Sequence, residues 1–255
     1  MARPSRLSRP RRPGSHGGPW LLGAAALLLL VTGGCAVSRL KTSADLVKQS
    51  QPFQARPAAP ERRLLIVGDS TAVGTGASRP EASLAGLISR EQPRWLIVNR
   101  AQDGAKFADI ADQLQGSERF DLVLVMGGGN DVIRFTSGSA LRANIDRTAA
   151  RAAALAPQVV LMPAGNVGNA PFFFAPWSWW MSARARDMHD AVRAAAARHG
   201  ATYVRLYKEP QDDPFVQQAD RLHAADKLHP SDDGYSAWFA ELRRQAPQMV
   251  GGVAR

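Results

Sequence analysis

Five short runs of continuous apolar residues, spaced through the chain and separated by helix-length stretches, constrain the fold more than any other feature. The runs are Leu64–Val67, Trp95–Val98, Leu122–Met126, Val159–Met162 and Thr202–Leu206. An unbroken apolar run of this length is the signature of a strand buried on both faces, which occurs in parallel sheets covered by helices. Helical patterns are expected over Glu81–Arg90, Leu141–Leu155, Met181–His199 and Gly234–Arg244. In the second of these, Leu141, Ile145, Thr148, Ala152 and Leu155 recur at intervals of three and four. Strands alternating with helices predict a single three-layer α/β/α domain around a parallel five-stranded sheet. No internal repeat is present.

Open parallel sheets bind ligands at the carboxyl ends of their strands, so the loops that follow the strands hold the chemistry. They read "GDSTAVGTG", "NRAQDGAK", "GGGNDV" and, after the last strand, a loop with "DKLHPSDDGY". The first could cradle a phosphate or present a nucleophile. A phosphate loop requires a Lys after its second glycine, and a dinucleotide fingerprint requires G-x-G-x-x-G. The order Gly68, Gly74, Gly76 fits neither.

Ser70 leaves the first strand through a tight Gly68-Asp69 exit, which places its hydroxyl at the carboxyl edge of the sheet. A serine hydroxyl needs an adjacent base to act as a nucleophile. His199 sits at a helix end, where a His commonly faces the dipole. His189 falls on a helix and reads as a surface or groove residue, and His223 lies in a polar loop with no evident partner. His229 has Asp226 three residues ahead of it and Pro230 behind. That spacing lets the carboxylate fold back on one ring nitrogen while the other faces Ser70; an ordinary turn is the alternative for this pair taken alone. The glycines of "GGGND" allow close backbone approach, and the Asn130 amide can donate to a developing oxyanion. Asp131 is the expected cap of the helix that follows.

Together these blocks resemble the SGNH (GDSL-type) hydrolase family. Ser70 in "GDS", Gly104, Asn130 in "GGND" and His229 in "DKLHP" occur in that family's order, and "HPSDDGYSAWF" is similar to its usual end. The departure is in "NRAQDGAK", where Arg100 and Gln102 stand at positions that are often small. The resemblance implies a flavodoxin-like sheet over 64–250 and ester hydrolysis without metal or organic cofactor. By it, Ser70 is the nucleophile, His229 the base and Asp226 its orienting partner, with Ser70, Gly104 and Asn130 lining the oxyanion hole. The substrates it implies are acyl lipids, aryl esters or acetylated glycans. An acyltransferase of the cell envelope and a non-catalytic acyl- or sugar-binding module are the rival readings.

Charge separates the chain into two parts. Residues 1–63 hold eleven Lys/Arg against two Asp/Glu, net +9, whereas residues 64–255 hold twenty-one against twenty, net +1. No basic run follows Arg63, which argues against nucleic acid as a partner. The basic start "MARPSRLSRPRRPG" precedes an apolar run from Trp20 to Val31, shorter than the ~20 residues of a membrane span. It reads as a signal segment over 1–35, with an uncleaved anchor as the alternative. Either reading exports the body to the cell envelope or periplasm. Cys35, the only cysteine, follows Thr32-Gly33-Gly34 and resembles a bacterial lipoprotein acylation site, although that pattern favours Leu where Thr32 stands. Residues 36–63 are Pro-, Ala- and Gln-rich and are expected to form a flexible linker, with a turn of helix near Ser43–Lys48.

Six large aromatics fall within residues 172–180. Phe173, Trp177, Trp179 and Trp180 are the candidate substrate-binding residues, placed in a loop between the fourth strand and the third helical stretch. A loop packed on the core, an acyl-binding wall, a sugar-binding wall and a membrane-facing patch are the readings of that segment.

Overall fold

The computed structural model describes residues 37–249. The expected leader over 1–35, with Cys35, lies outside the described residues. From Arg39 onward the described residues form one compact unit.

Residues 37–49 are helical (α1). The remaining elements run β1 (Arg62–Gly68), α2 (Ser70–Val73), α3 (Leu84–Glu91), β2 (Trp95–Asn99), α4 (Phe107–Gln113), β3 (Leu122–Gly127), α5 (Gly129–Ile133), α6 (Gly138–Leu155), β4 (Gln158–Pro163), α7 (Trp177–Arg198), β5 (Thr202–Tyr203), α8 (Pro214–Gln217), α9 (Ala219–Leu222) and α10 (Asp232–Gln245). All neighbouring strands are parallel, in the order β2-β1-β3-β4-β5. This is the flavodoxin-like order, in which the crevice for a ligand opens where β1 and β3 send their loops in opposite directions.

Side-chain alternation along the strands explains the three layers. Leu65, Val67, Val123, Val125, Val159 and Leu161 face one core, closed by α4, α6 and α7. Leu64, Ile66, Leu122, Leu124, Val160 and Met162 face the other, closed by α3 and α10. The α6 stripe is buried as expected, and Thr148 joins it by donating its hydroxyl to the Phe107 and Asn144 carbonyls, at 3.1 and 2.8 Å.

The segment expected to be an extended linker is ordered where it meets the domain. Leu40, Ser43 and Val47 of α1 line the cavity described below. Arg39 donates to the carbonyls of Pro171 and Phe172. Beyond α1, Ala55 pairs antiparallel with Ile97 of β2, at 3.1 and 2.9 Å. The Gln54 amide bonds both main-chain groups of Asn99, at 2.7 and 3.0 Å. These contacts cover the otherwise open edge of β2. Among the described residues, no helix is long and apolar enough to cross a membrane.

Candidate active site

The strand β1 ends at Gly68, and the chain turns at once into the short helix α2. Asp69 caps it: its Oδ1 accepts from the Thr71 N–H at 2.9 Å and the Thr71 hydroxyl at 2.7 Å. Burial pushes the Asp69 carboxyl up, against the pull of those two hydrogen bonds. Ser70 is therefore the first residue of a buried helical turn, held at the carboxyl edge of the sheet.

The loop after α9 brings His229 to it. Nε2 of His229 lies 2.9 Å from the Ser70 hydroxyl, and Nδ1 lies 2.6 Å from Asp226 Oδ2. An ionised carboxylate only accepts, so Nδ1 carries the hydrogen and Nε2 accepts from the Ser70 O–H. Asp226 is fully buried. Burial raises its carboxyl, but the hydrogen bond to the His229 ring, the charge of that ring, and the main-chain N–H groups of His229 and Leu228 outweigh this and hold it at about 2. The loop is fastened at both ends: Ala224 N–H donates to the His229 carbonyl at 2.8 Å, and Ser231 N–H donates to the Leu222 carbonyl at 2.9 Å. Ser231 also caps α10, and Tyr235 of that helix reaches back to the Thr75 carbonyl at 2.9 Å. Gly76 closes the junction. It has φ +95°, and a Cβ there would sit 2.4 Å from the Pro230 oxygen and 2.9 Å from the His229 Cβ.

Three further donors face the same space. Gly104 adopts φ +76° in the loop after β2, and Asn130 belongs to α5; both line the cavity beside Ser70. One amide hydrogen of Asn130 goes to the Ala105 carbonyl at 3.2 Å, which leaves the other free to donate. The N–H groups of Ser70 and Gly104 have no acceptor among the described residues. Asp131 has a different part from the expected one. Gly128, not Asp131, stands at the N-cap of α5, and the buried Asp131 carboxylate accepts from the Phe107 N–H at 2.8 Å, holding the start of α4. Burial raises that carboxyl.

The cavity has a volume of about 350 Å³, and much of its wall is apolar, including Leu40, Val47, Ile133, Phe172, Phe215 and Trp238. Phe172 is a wall residue, whereas Phe173, Trp177, Trp179 and Trp180 are not. The helix α7 begins at Trp177, four residues ahead of the expected start, so the three tryptophans stand on its first turn while Met181 and Ala185 take the core face. Phe173 packs on the α4–α6–α7 core. His189, read as a surface or groove residue, is buried on α7, where it bonds the carbonyl of Ala164 in the cavity wall at 2.7 Å. His223 also lines the cavity, donating from Nδ1 to the Ala219 carbonyl at 3.1 Å. A pair of mid-chain residues with no spacing motif gave no signal for either placement. Among the described residues, no group of three His, Cys, Asp or Glu side chains is placed to hold a metal ion.

Among solved structures, the fold is similar to LAE5, an alpha/beta hydrolase enzyme from the metagenome of Lake Arreo, Spain. The identity is 22%, the TM-score 0.56, and the match covers 76% of this chain and 98% of that one. The lipase/acylhydrolase from Enterococcus faecalis matches at 22% identity and TM-score 0.55, over 72% and 94% of the two chains. A carbohydrate esterase family 2 enzyme from Corynascus thermopiles (Myceliophthora fergusii) matches at 15% and 0.55, over 77% and 69%. At these identities the likeness establishes the fold, that of the SGNH hydrolases. No curated protein matches the chain. The family is established by the sequence itself: residues 66–237 match the GDSL-like Lipase/Acylhydrolase family, and the chain belongs to it.

Proposed function

We propose that this chain is an exported serine ester hydrolase that works through an acyl-enzyme on Ser70. The observation that carries the reading is the hydrogen-bonded series from Ser70 through His229 to Asp226, with Ser70 and His229 in the wall of a largely apolar cavity. His229 Nε2 takes the Ser70 proton as the hydroxyl attacks an ester carbonyl. Asp226 holds the imidazole in the required tautomer and stabilises the imidazolium that forms. The oxyanion is met by the free amide hydrogen of Asn130 and the unpaired N–H groups of Ser70 and Gly104. His229 then protonates the leaving alcohol. A water molecule, deprotonated by the same nitrogen, releases the acid and restores Ser70.

The cavity wall supports an acyl group as its occupant, with the alcohol part leaving toward the open side. The acyl chain, rather than a sugar, fits a wall containing Leu40, Val47, Ile133 and Trp238. The carbohydrate esterase among the structural neighbours keeps acetylated glycans as an alternative substrate class. Export rests on the basic and apolar N-terminal segment, and a lipid anchor on Cys35.

The test is labelling with a fluorophosphonate, followed by peptide mapping. The adduct is expected on Ser70, with hydrolysis of p-nitrophenyl esters lost in parallel. Retained hydrolysis in Ser70→Ala would overturn the reading. Product analysis with added glycan or alcohol acceptors separates hydrolysis from acyl transfer.

A further inference from the structure

The exposed aromatic rings are gathered on one face. Trp177, Trp179 and Trp180 are 54%, 70% and 62% exposed, and Phe135 and Phe174 are also open to solvent. Contacts link them. Trp180 meets Trp177 at 5.8 Å and Phe135 at 6.3 Å between ring centroids. The Ser178 N–H donates to the Phe174 carbonyl at 3.0 Å, tying Phe174 to the first turn of α7. A contiguous patch of this kind on a soluble domain marks a contact surface.

Two arginines are built into the patch. The Arg39 guanidinium lies 5.0 Å from the centre of the Phe174 ring, and Arg184 lies 5.1 Å from that of Phe135. Both are oriented by main-chain carbonyls: Arg39 by Pro171 and Phe172, Arg184 by Asp131, Val132 and Thr136. Neither makes an ion pair with a carboxylate among the described residues. Their charge is thus fixed in place and left for an external anion.

The patch also borders the cavity. Leu40, Arg134 and Phe172 line the cavity wall, and each adjoins or nearly adjoins a patch residue in sequence: Arg39, Phe135 and Phe174. Arg39, near the start of α1, rests on Phe174, and the apolar run Trp20–Val31 lies shortly before it in the sequence.

We infer that this face docks on an anionic lipid surface, with the cavity mouth turned toward it. Tryptophan is suited to the boundary between headgroups and acyl chains, where its ring is buried and its N–H stays wet. Arginines beside the rings complement the lipid phosphates. A second copy of the chain is the weaker occupant. A two-fold contact lays a patch on itself, and it would gather four guanidinium groups, Arg39 and Arg184 of each copy, in one interface with no carboxylate from the patch to offset them. The inference goes beyond the ester-hydrolase reading, since it concerns where the domain sits and not what it cleaves.

The test uses the full chain with vesicles of phosphatidylcholine and phosphatidylglycerol. Photoreactive benzoylphenylalanine is placed at Trp179 and, separately, at Ser117, which lies in the exposed loop at the amino ends of the strands. Illumination should give a lipid adduct from position 179 that exceeds the one from 117 at least tenfold. Equal adducts, no lipid adduct at 179, or an adduct to a second copy of the chain would overturn the inference. In a second measurement, Trp177→Ser, Trp179→Ser and Trp180→Ser are combined. The triple variant should keep wild-type kcat/KM on a soluble short-chain ester and lose at least tenfold on a long-chain ester carried in the vesicles. Equal loss on both substrates would overturn it. Only this second measurement rests on ester hydrolysis, so a failure of that reading leaves the adduct result standing.

Discussion

Asp226 holds His229 by ring and main chain together: one carboxylate oxygen accepts from Nδ1 at 2.6 Å, the other from the residue's own N–H at 3.1 Å. The contact therefore sets both the tautomer of the ring and the path of the loop that carries it.

In Asp226→Asn, the amide cannot stabilise an imidazolium, and kcat on a soluble ester should fall by roughly 10²–10⁴. The carboxyl is held at about 2 in the folded chain against ~3.9 in the unfolded one. A depressed carboxyl stabilises the fold fully above the unfolded value, and that stability is lost as pH falls toward 2. Unfolding midpoints measured between pH 5 and 2 should drop less steeply in the Asn variant than in the wild type. Wild-type turnover in this variant would remove Asp226 from the mechanism.

Asn130→Ala removes one of the three donors proposed for the oxyanion and should lower kcat by roughly 10²–10³ while KM changes little. Steady-state kinetics on one soluble ester is sufficient. A rise in KM with kcat intact would instead place Asn130 in ground-state binding.

Gly76→Ala tests the junction between the serine and histidine loops. The left-handed backbone alone costs about 1 kcal/mol or more. The new Cβ would also press on the Pro230 oxygen and His229 Cβ. The variant should melt several degrees lower and lose at least tenfold in kcat, with His229 displaced from Ser70. A stability loss with kcat unchanged would show that the loops move together.

His189 should make the fold acid-sensitive. Its Nε2–H donates to the Ala164 carbonyl at 2.7 Å, and Nδ1 accepts from the Tyr203 hydroxyl at 2.6 Å. Burial keeps the ring neutral down to about 4, whereas in the unfolded chain it charges near 6.5. Between those values the unfolded state binds more protons, so stability falls as pH drops from 6.5 to 4, by roughly 3 kcal/mol at the lower limit. His189→Gln should flatten that limb in urea titrations at a series of pH values. An unchanged slope would assign the acid sensitivity elsewhere.

Chain-length preference follows from the cavity wall. Each substrate methylene buried against it is worth about 0.8 kcal/mol, roughly fourfold in kcat/KM, until the cavity is full. Leu40→Ala combined with Val47→Ala should reduce the increment while acetate ester hydrolysis changes little. A homologous series of p-nitrophenyl esters reads this, and an identical series in the variant would remove α1 from the binding wall.

The central strands β1, β3 and β4 were legible in the sequence because burial on both faces leaves no alternation to misread. Thr202–Leu206 was the exception in length: only Thr202 and Tyr203 pair with β4, at the edge where no further strand continues the ladder. The gathering of Ser70, Asn130 and His229 was legible because each lies in a connection that a parallel sheet collects at its carboxyl edge, although Ser70 and Asn130 turn out to sit in the short helices α2 and α5. The start of α7 was not, since a helix whose first turn is Trp-Ser-Trp-Trp shows no apolar stripe and resembles an aromatic loop. The short helix α4 escaped as well; its start is held by Asp131 from across the fold, a contact that local pattern cannot contain. Residues 37–55 were read mainly from composition; the expected turn of helix near Ser43–Lys48 falls within α1, but composition is blind to a few apolar side chains placed where the domain needs a cover.

The wall that α1 contributes carries a consequence for comparing relatives. The family match begins at residue 66, yet Leu40, Ser43 and Val47 shape the space beside Ser70. Two proteins could share every residue of the matched region and still admit different acyl groups, because the selecting surface is borrowed from chain upstream of it. Swapping residues 37–49 between such proteins would exchange their preferences while leaving the reacting atoms untouched.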